Sequence, residues 1–186
     1  MSLTITVSSV SGYNRRTFEN ATQADLTIAV ATDFSTAGER LTRRAAAGRI
    51  VSIPHQAVDF EHHVGRVVAL LNAVTAVKRS PVTVNGAGNG VYTLASKSQA
   101  EADVFAYSLL SSILRHPDKK FDIGLVRSGG QTGYDVAFIK AALILGIPAH
   151  IHAARSRQGG ILIRRADGRD VSLDEHDYRH EMGLPE

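Results

Sequence analysis

One stretch, residues 121–148, constrains the fold of this chain more than any other. It opens with a short apolar run at 121–126, continues into a glycine-rich segment at 128–133, and closes with an apolar segment of helical character. A short apolar run is typical of a buried strand, and glycines directly after it permit a tight turn into a helix. The stretch therefore predicts a strand, a glycine loop and a helix in succession.

Strand-like and helix-like segments alternate along the rest of the chain. The alternation predicts an α/β fold, specifically a Rossmann-like three-layer sandwich with a mostly parallel sheet. The length of 186 residues suits a single domain. The predicted strands are 3–7, 25–31, 50–53, 81–84, 121–126 and 147–153, of which 147–153 is the last strand of the main sheet. The predicted helices are 16–22, 39–47, one from 59 onward, one from about 98 to 116, and one after 133.

The segment 154–186 differs in character from what precedes it, and we interpret it as a hairpin and C-terminal extension of the single domain 1–186. Residues 155–160 have the composition of a mobile linker. Asp167 and Gly168 then form a dipeptide typical of a hairpin turn. The charged remainder predicts a short closing helix.

Three of the predicted strands lead into glycine-bearing loops, at 32–39, 85–92 and 128–133. In a parallel sheet the carboxyl ends of the strands face the crevice where ligands bind, and a helix that starts there offers unpaired N–H groups to an anion. We therefore expect the three loops to meet in one pocket that holds a phosphate. The alternative is structural, because Thr132 and Asp135 fit a capping box, in which case the glycines serve only a tight turn.

The predicted ligand-binding residues follow from these loops and from nearby cations. Arg16 or Arg127 would neutralise a phosphate, and Asn85 or Asn89 would bond a ribose or a base, so the set suits a nucleotide-sized ligand. The full set is Arg16, Ser35, Thr36, Gly38, Asn85, Gly86, Gly88, Asn89, Arg127, Ser128, Gly129, Gly130, Gln131, Thr132 and Gly133.

Two acids are candidates for catalysis if the protein is an enzyme. Asp33 and Asp135 stand at predicted strand or helix ends, and cleavage of a glycosidic bond requires a carboxylate beside the developing sugar cation. The competing interpretation gives Asp33 an Asx-type turn, because aspartate is common in such turns, and gives Asp135 the capping role. Whether the chain is an enzyme stays open at this point.

Composition excludes several classes of function. The chain has no cysteine, which rules out disulfides and thiolate chemistry. The histidines have no spacing that indicates a metal site, and we expect no cofactor. A net charge of +3 spread along the chain gives little support for binding nucleic acid. No stretch resembles a secretory signal or a membrane span, so we expect no membrane partner and a cytoplasmic location.

Three sequence blocks resemble one known family. They are S-G-G-Q-T-G-Y-D at 128–135 with G-I-P at 146–148; Tyr13, Arg16, Thr17, Asn20 and Asp25 with L-T-I at 26–28, Gly38 and L-T-R-R at 41–44; and V-N-G-A-G at 84–88 with G-V-Y at 90–92. These blocks are similar to those of the molybdenum-cofactor carrier family, part of the SLOG superfamily of Rossmann-like nucleotide-ligand proteins. The block at 128–135 comes first in that family and last here, as in a circular permutation.

The resemblance implies binding of a phosphorylated nucleotide-derived small molecule for sensing or sequestration. The ligand would be of the NAD, ADP-ribose or cyclic ADP-ribose type, or a nucleoside monophosphate. One alternative is a nucleotide N-glycosidase of the kind found in the LOG phosphoribohydrolases, although the LOG signature P-G-G-x-G-T-x-x-E is not reproduced. Further alternatives are carriage of molybdenum cofactor and a protein-interaction module with a disused crevice. A homo-oligomer is compatible with each.

Overall fold

The structure is a computed structural model that describes residues 2–55, 57–96 and 98–186. Within these residues it has an α/β, Rossmann-like three-layer fold, which confirms the predicted fold class. The strands are β1 Leu3–Ser11, β2 Leu26–Ala31, β3 Ile50–Pro54, β4 Val82–Gly88, β5 Ile123–Ser128, β6 Ala149–Arg155, β7 Ile161–Arg164 and β8 Asp170–Leu173. The helices are α1 Tyr13–Thr22, α2 Ala37–Ala46, α3 Phe60–Lys78, α4 Gln99–Arg115, α5 Tyr134–Ile144 and α6 Glu175–Met182.

The strands form a single sheet in the order β3-β2-β4-β5-β6, and both β1 and the β7–β8 pair continue it beyond β6. The pairs from β3 across to β6, and the pair of β1 with β6, are parallel. The chain leaves β2 toward one edge, into β3, and returns to place β4 on the other side of β2. The sheet therefore has a switch point between β2 and β4, the place where open α/β sheets bind ligands.

Helices cover both faces of the sheet. α1 and α2 pack against each other on one face, while α3, α4 and α5 cover the other. Every residue of β2 is buried, as expected for a strand covered on both sides. The apolar character of α5 has the same cause, because this helix lies among α4, β4 and β5 and is buried almost all round.

Helix starts agree with the sequence patterns at two positions and not at a third. The side chains of Thr36 and Ser98 each accept a hydrogen bond from the backbone N–H three residues later, the N-cap bond that threonine and serine favour at a helix start. Thr132 does not cap α5: its hydroxyl donates to the carbonyl oxygen of Arg164, and the N-cap position is Gly133. The predicted capping box of Thr132 and Asp135 is wrong, because tertiary partners occupy both side chains.

Two segment boundaries also differ from the sequence prediction. β4 runs on to Gly88, so half of the predicted loop at 85–92 is strand. The hairpin of β7 and β8 is confirmed, but β7 also pairs with the end of β6, so β6 is not the last strand of the sheet. The segment between β6 and β7, residues 156–160, is a hydrogen-bonded turn in which the N–H of Ser156 donates to the carbonyl of Gly160 at 2.8 Å. No helix in the described ranges has the length and apolar composition needed to cross a bilayer.

Candidate functional site

A cavity of about 530 Å³ opens at the carboxyl edge of the sheet, between α1 and α2. Segments far apart in sequence form its wall: the start of α1, the start of α2, the end of β4 and the glycine loop after β5. The lining residues are Tyr13, Asn14, Arg16, Thr17, Asn20, Thr36, Ala37, Gly38, Glu39, Leu41, Thr42, Asn85, Ala87, Gly88, Asn89, Gly90, Tyr92, Thr93, Gly129, Gln131, Thr132, Asp135 and Arg164.

A buried ion pair between α1 and α5 forms part of the cavity wall. Nη1 of Arg16 donates to Oδ2 of Asp135 at 2.7 Å, and both side chains are about nine-tenths buried. The guanidinium lies against Gly129, where an added Cβ would come within 1.4 Å of Nη1. Burial raises the pKa of the Asp135 carboxyl, and the charge of Arg16 opposes that rise. Glycine is required at position 129 so that the arginine can reach the carboxylate.

A second acid, Glu39, lines the same cavity from the first turn of α2. It is only 6% exposed, and Nδ2 of Asn89 donates to its Oε1 at 3.3 Å. Burial, together with the nearby Asp135 carboxylate, raises the pKa of Glu39 to about 7. Glu39 is therefore able to gain and lose a proton near neutral pH, a property typical of general acids and bases.

The amino terminus of α2 supplies backbone donors to the cavity. Thr36 caps the helix by accepting from the N–H of Glu39, and the N–H of Arg40 bonds to the Thr36 carbonyl. As the first two N–H groups of the helix, those of Ala37 and Gly38 have no carbonyl acceptor within α2, and no other acceptor for them occurs among the described residues. An added Cβ at Gly38 would meet nothing within 4 Å, so this turn opens onto free space. The geometry suits an anion.

In the glycine loop, by contrast, most of the polar groups form hydrogen bonds with other residues of the protein. The N–H of Gln131 donates to Asp135, and the N–H of Gly133 donates to Oε1 of Gln99 at 2.6 Å. The carbonyl of Gly130 accepts a 2.8 Å bond from the hydroxyl of Tyr178 on α6. The left-handed φ of Gly130, at 68°, and its contact with Tyr178 also leave no room for a side chain. These contacts support the structural interpretation for most of the loop.

The C-terminal extension holds the glycine loop in place. The Gln131 side chain donates to the carbonyl of Leu162 at 2.6 Å and accepts from the N–H of Arg164 at 2.9 Å. Arg164 also reaches the cavity mouth, where its guanidinium bonds to Asp170 and lies over the ring of Tyr13. The extension is thus part of the cavity wall.

The two asparagines at the end of β4 have different surroundings. Oδ1 of Asn89 accepts from the N–H groups of Thr32 and Asp33 at 2.9 and 3.2 Å, so this side chain fixes the loop that leads into α2. Asn85 donates from Nδ2 to Oγ1 of Thr27 at 3.3 Å, while its buried Oδ1 has no partner among the described residues. Asn85 therefore retains an unused hydrogen-bonding group, whereas Asn89 does not.

The structure brings ten residues of the predicted set to the cavity wall and leaves seven away from it. Those that line it are Arg16, Thr36, Gly38, Asn85, Gly88, Asn89, Gly129, Gln131, Thr132 and Asp135; those that do not are Asp33, Ser35, Gly86, Arg127, Ser128, Gly130 and Gly133. Asp33 is exposed and accepts from the N–H of Ser35 at 2.7 Å, which is the Asx-type turn. The structure gives no support for Asp33 as a base.

The other residues outside the cavity have structural partners. Arg127 is buried beneath α1, where it donates to the side chains of Asn20 and Gln23. The hydroxyl of Ser128 donates to the carbonyl of Gly86 at 2.7 Å, and an added Cβ at Gly86 would overlap the ring of Phe138. Each of these positions is explained by packing.

Sequence reasoning missed several residues that line the cavity, among them Tyr13, Asn20, Glu39, Tyr92 and Arg164. Glu39 was the most accessible to prediction, because an acid three residues after a capping threonine enters the first turn of a helix that starts at a strand end. Nothing in the sequence places Arg164 beside α1.

No cluster of three or more histidine, cysteine or acidic side chains with metal-binding geometry occurs within 2–55, 57–96 and 98–186. Comparison of this chain with known protein families, with curated proteins and with solved structures finds no match. The functional argument therefore depends on the residues of the cavity.

Proposed function

We propose that the cavity binds a small phosphorylated molecule of nucleotide size and that its phosphate lies at the amino terminus of α2. The proposal rests on one observation: the free N–H groups of Ala37 and Gly38 and the buried side chain of Arg16 line the same cavity. Nε of Arg16 is buried and has no partner among the described residues. A phosphorylated ligand would supply acceptors for both kinds of donor: its phosphate oxygens for the N–H groups of α2, and a further ligand oxygen for Nε of Arg16.

The position and size of the cavity support the same proposal. It lies at the carboxyl ends of the strands beside the switch point between β2 and β4, where ligands bind in open α/β sheets. Its volume of about 530 Å³ falls in the range of roughly 300–1,000 Å³ typical of small-molecule sites. The resemblance of three sequence blocks to SLOG proteins is consistent with a nucleotide-derived ligand used for sensing or sequestration.

Calorimetric titration of the purified protein tests the proposal. The ligands are AMP, NAD, ADP-ribose and cyclic ADP-ribose, and adenosine serves as the matched compound without a phosphate. We expect saturable binding of at least one phosphorylated compound and much weaker binding of adenosine. Absence of heat from every phosphorylated compound, with protein that is folded by circular dichroism, would contradict the proposal.

A second candidate function is hydrolysis of the N-glycosidic bond of a nucleotide, and Glu39 is the observation that favours it. In this reaction the bond between the anomeric carbon and the base nitrogen breaks and the base nitrogen takes a proton from the acid, while the oxygen of water bonds to the anomeric carbon and the proton that water loses restores the acid. A buried carboxyl with a pKa of about 7 is suited to donate that proton. Asp135 is already committed to Arg16, so Glu39 replaces it as the candidate acid.

Chromatography of released base separates the two functions. If the protein is a hydrolase, incubation with AMP releases adenine, and Glu39→Gln abolishes the release while calorimetric binding of AMP persists. If no candidate nucleotide releases its base at any pH from 5 to 8, the hydrolase function is excluded for those compounds and binding alone remains. Molybdenum-cofactor carriage and the interaction-module hypothesis remain predictions from the sequence.

A further inference from the structure

Two buried polar atoms that lack hydrogen-bond partners belong to residues of the same cavity. Four such side-chain atoms occur in the described part of the chain, on Arg16, His63, Thr75 and Asn85. His63 and Thr75 lie on α3, on the opposite face of the sheet, whereas Arg16 and Asn85 line the cavity. A buried polar atom without a partner is costly, so two beside one cavity indicate that a ligand supplies the missing bonds.

The two atoms require complementary partners. Nε of Arg16 can only donate, and Oδ1 of Asn85 can only accept. Other bonds hold both side chains in place, since Arg16 is paired with Asp135 and the amide nitrogen of Asn85 donates to Thr27. Hydroxyl groups both donate and accept, so a ligand that carries them satisfies both atoms.

The surroundings of these atoms favour a sugar over a base. The other buried residues with polar side chains that line the cavity are Asn20, Glu39, Thr42, Asn89, Gln131 and Asp135, and none of them is aromatic. The two tyrosines of the lining are more exposed: Tyr13 is half-buried, with the guanidinium groups of Arg16 and Arg164 at 5.9 and 5.6 Å from its ring centroid, and Tyr92 is 48% exposed. A flat base stacks on aromatic rings, whereas a polyol requires dense hydrogen-bonding groups.

We infer that Asn85 and Arg16 bind the hydroxyl groups of a sugar, so that the unit recognised in the buried part of the cavity is a sugar phosphate and any base lies toward the tyrosines. The inference rests on the proposed function, because the phosphate at α2 anchors the same ligand. Asn85 is then the residue that distinguishes a hydroxylated sugar from a deoxy sugar.

Paired ligands that differ by one hydroxyl test the inference by calorimetry. The pairs are ribose 5-phosphate with 2-deoxyribose 5-phosphate, and AMP with its 2′-deoxy and 3′-deoxy forms. In the wild-type protein we expect loss of the hydroxyl that Asn85 binds to weaken affinity roughly 10- to 100-fold, because the buried Oδ1 of Asn85 again lacks a partner. In Asn85→Leu the hydroxylated and deoxy forms should bind alike.

A matched control is Asn14→Leu, since Asn14 also lines the cavity but is exposed; it should discriminate as the wild type does. Equal affinity of the wild-type protein for all hydroxylated and deoxy partners would overturn the inference while leaving the proposed function intact. Unchanged discrimination in Asn85→Leu would equally overturn it. If no phosphorylated compound binds at all, the proposed function fails and the inference fails with it.

Discussion

Arg16 and Asp135 are 119 residues apart in the chain, yet Nη1 of the arginine donates to Oδ2 of the aspartate at 2.7 Å. The pair joins the first half of α1 to the first turn of α5 directly above Gly129, and both side chains are buried. It therefore connects two segments distant in sequence at the cavity and fixes the orientation of the guanidinium. Breaking it should affect both stability and binding.

Asp135→Ala should lower the free energy of unfolding by about 3–5 kcal/mol, because it leaves the Arg16 charge buried without a partner. Urea denaturation measures this change. The control is Asp170→Ala, which removes the carboxylate of a partly exposed pair with Arg164 and should cost only about 0–1 kcal/mol. Equal costs for the two variants would show that the buried pair does not have the proposed structural importance.

Tyr178→Phe should destabilise the protein by about 1–2 kcal/mol, because the Gly130 carbonyl loses its buried donor. Affinity for a phosphorylated ligand should stay unchanged, since the glycine loop is held by the protein rather than by the ligand. Tyr107→Phe, on the exposed side of α4, is the matched control and should change neither quantity. A large loss of ligand affinity in Tyr178→Phe would indicate instead that the loop itself binds the phosphate.

The pKa of Glu39, at about 7, lies above the 4.5 of an unperturbed glutamate. Between pH 4.5 and pH 7, therefore, Glu39 is protonated in the folded protein and ionised in the unfolded chain. The stability that this proton provides is present at low pH and is lost as pH rises through 7. We expect the urea midpoint to fall between pH 5 and pH 8. In Glu39→Gln this part of the pH dependence should disappear.

Sulfate provides a second measurement for Glu39, because its charge does not change over this range. Its affinity for the wild-type protein should decline as Glu39 ionises above pH 7, and the decline should be absent in Glu39→Gln. A steep decline that persists in the variant would show that another group titrates beside the anion.

Asn89→Ala should free the loop that precedes α2, because Oδ1 of Asn89 accepts from the N–H groups of Thr32 and Asp33. We expect a loss of roughly 1–2 kcal/mol in stability, since two part-buried N–H donors lose their acceptor. Hydrogen exchange at residues 32–36 should accelerate more than elsewhere in the sheet. Uniform acceleration across the sheet would mean that Asn89 acts only on global stability.

Much of the fold follows from local patterns in the sequence. The short apolar run at 121–126, the glycine turn and the alternation of strands with helices indicate a parallel sheet whose carboxyl edge carries the loops, although the strand itself, β5, lies two residues later than predicted. The pattern fails where a distant partner decides the outcome. The sequence around Thr132 fits a capping box, but its hydroxyl donates instead to the carbonyl oxygen of Arg164 in the C-terminal extension. No local signal in the sequence indicates that β7 lies beside the glycine loop.

The candidate site could be predicted only in part for the same reason. The convergence of segments near Thr36, Asn85 and Gly129 follows from their positions at strand ends. What each residue does depends on its neighbours: Arg127 is a cation near a glycine loop in sequence but lies beneath α1 in the fold, away from the cavity. The expected cytoplasmic location and homo-oligomer remain predictions.

Binding of phosphate at the amino terminus of α2 is tested most directly by comparing Gly38→Asp with Gly38→Asn in calorimetric titrations. Position 38 has open space for a side chain, and an aspartate in the first turn of a helix favours the fold by about 0.3–1 kcal/mol, so both variants should be folded. We expect Gly38→Asn to bind the best phosphorylated ligand within about tenfold of wild type and Gly38→Asp to lose binding by roughly 100-fold or more. Wild-type affinity in Gly38→Asp would contradict the location of the phosphate at α2.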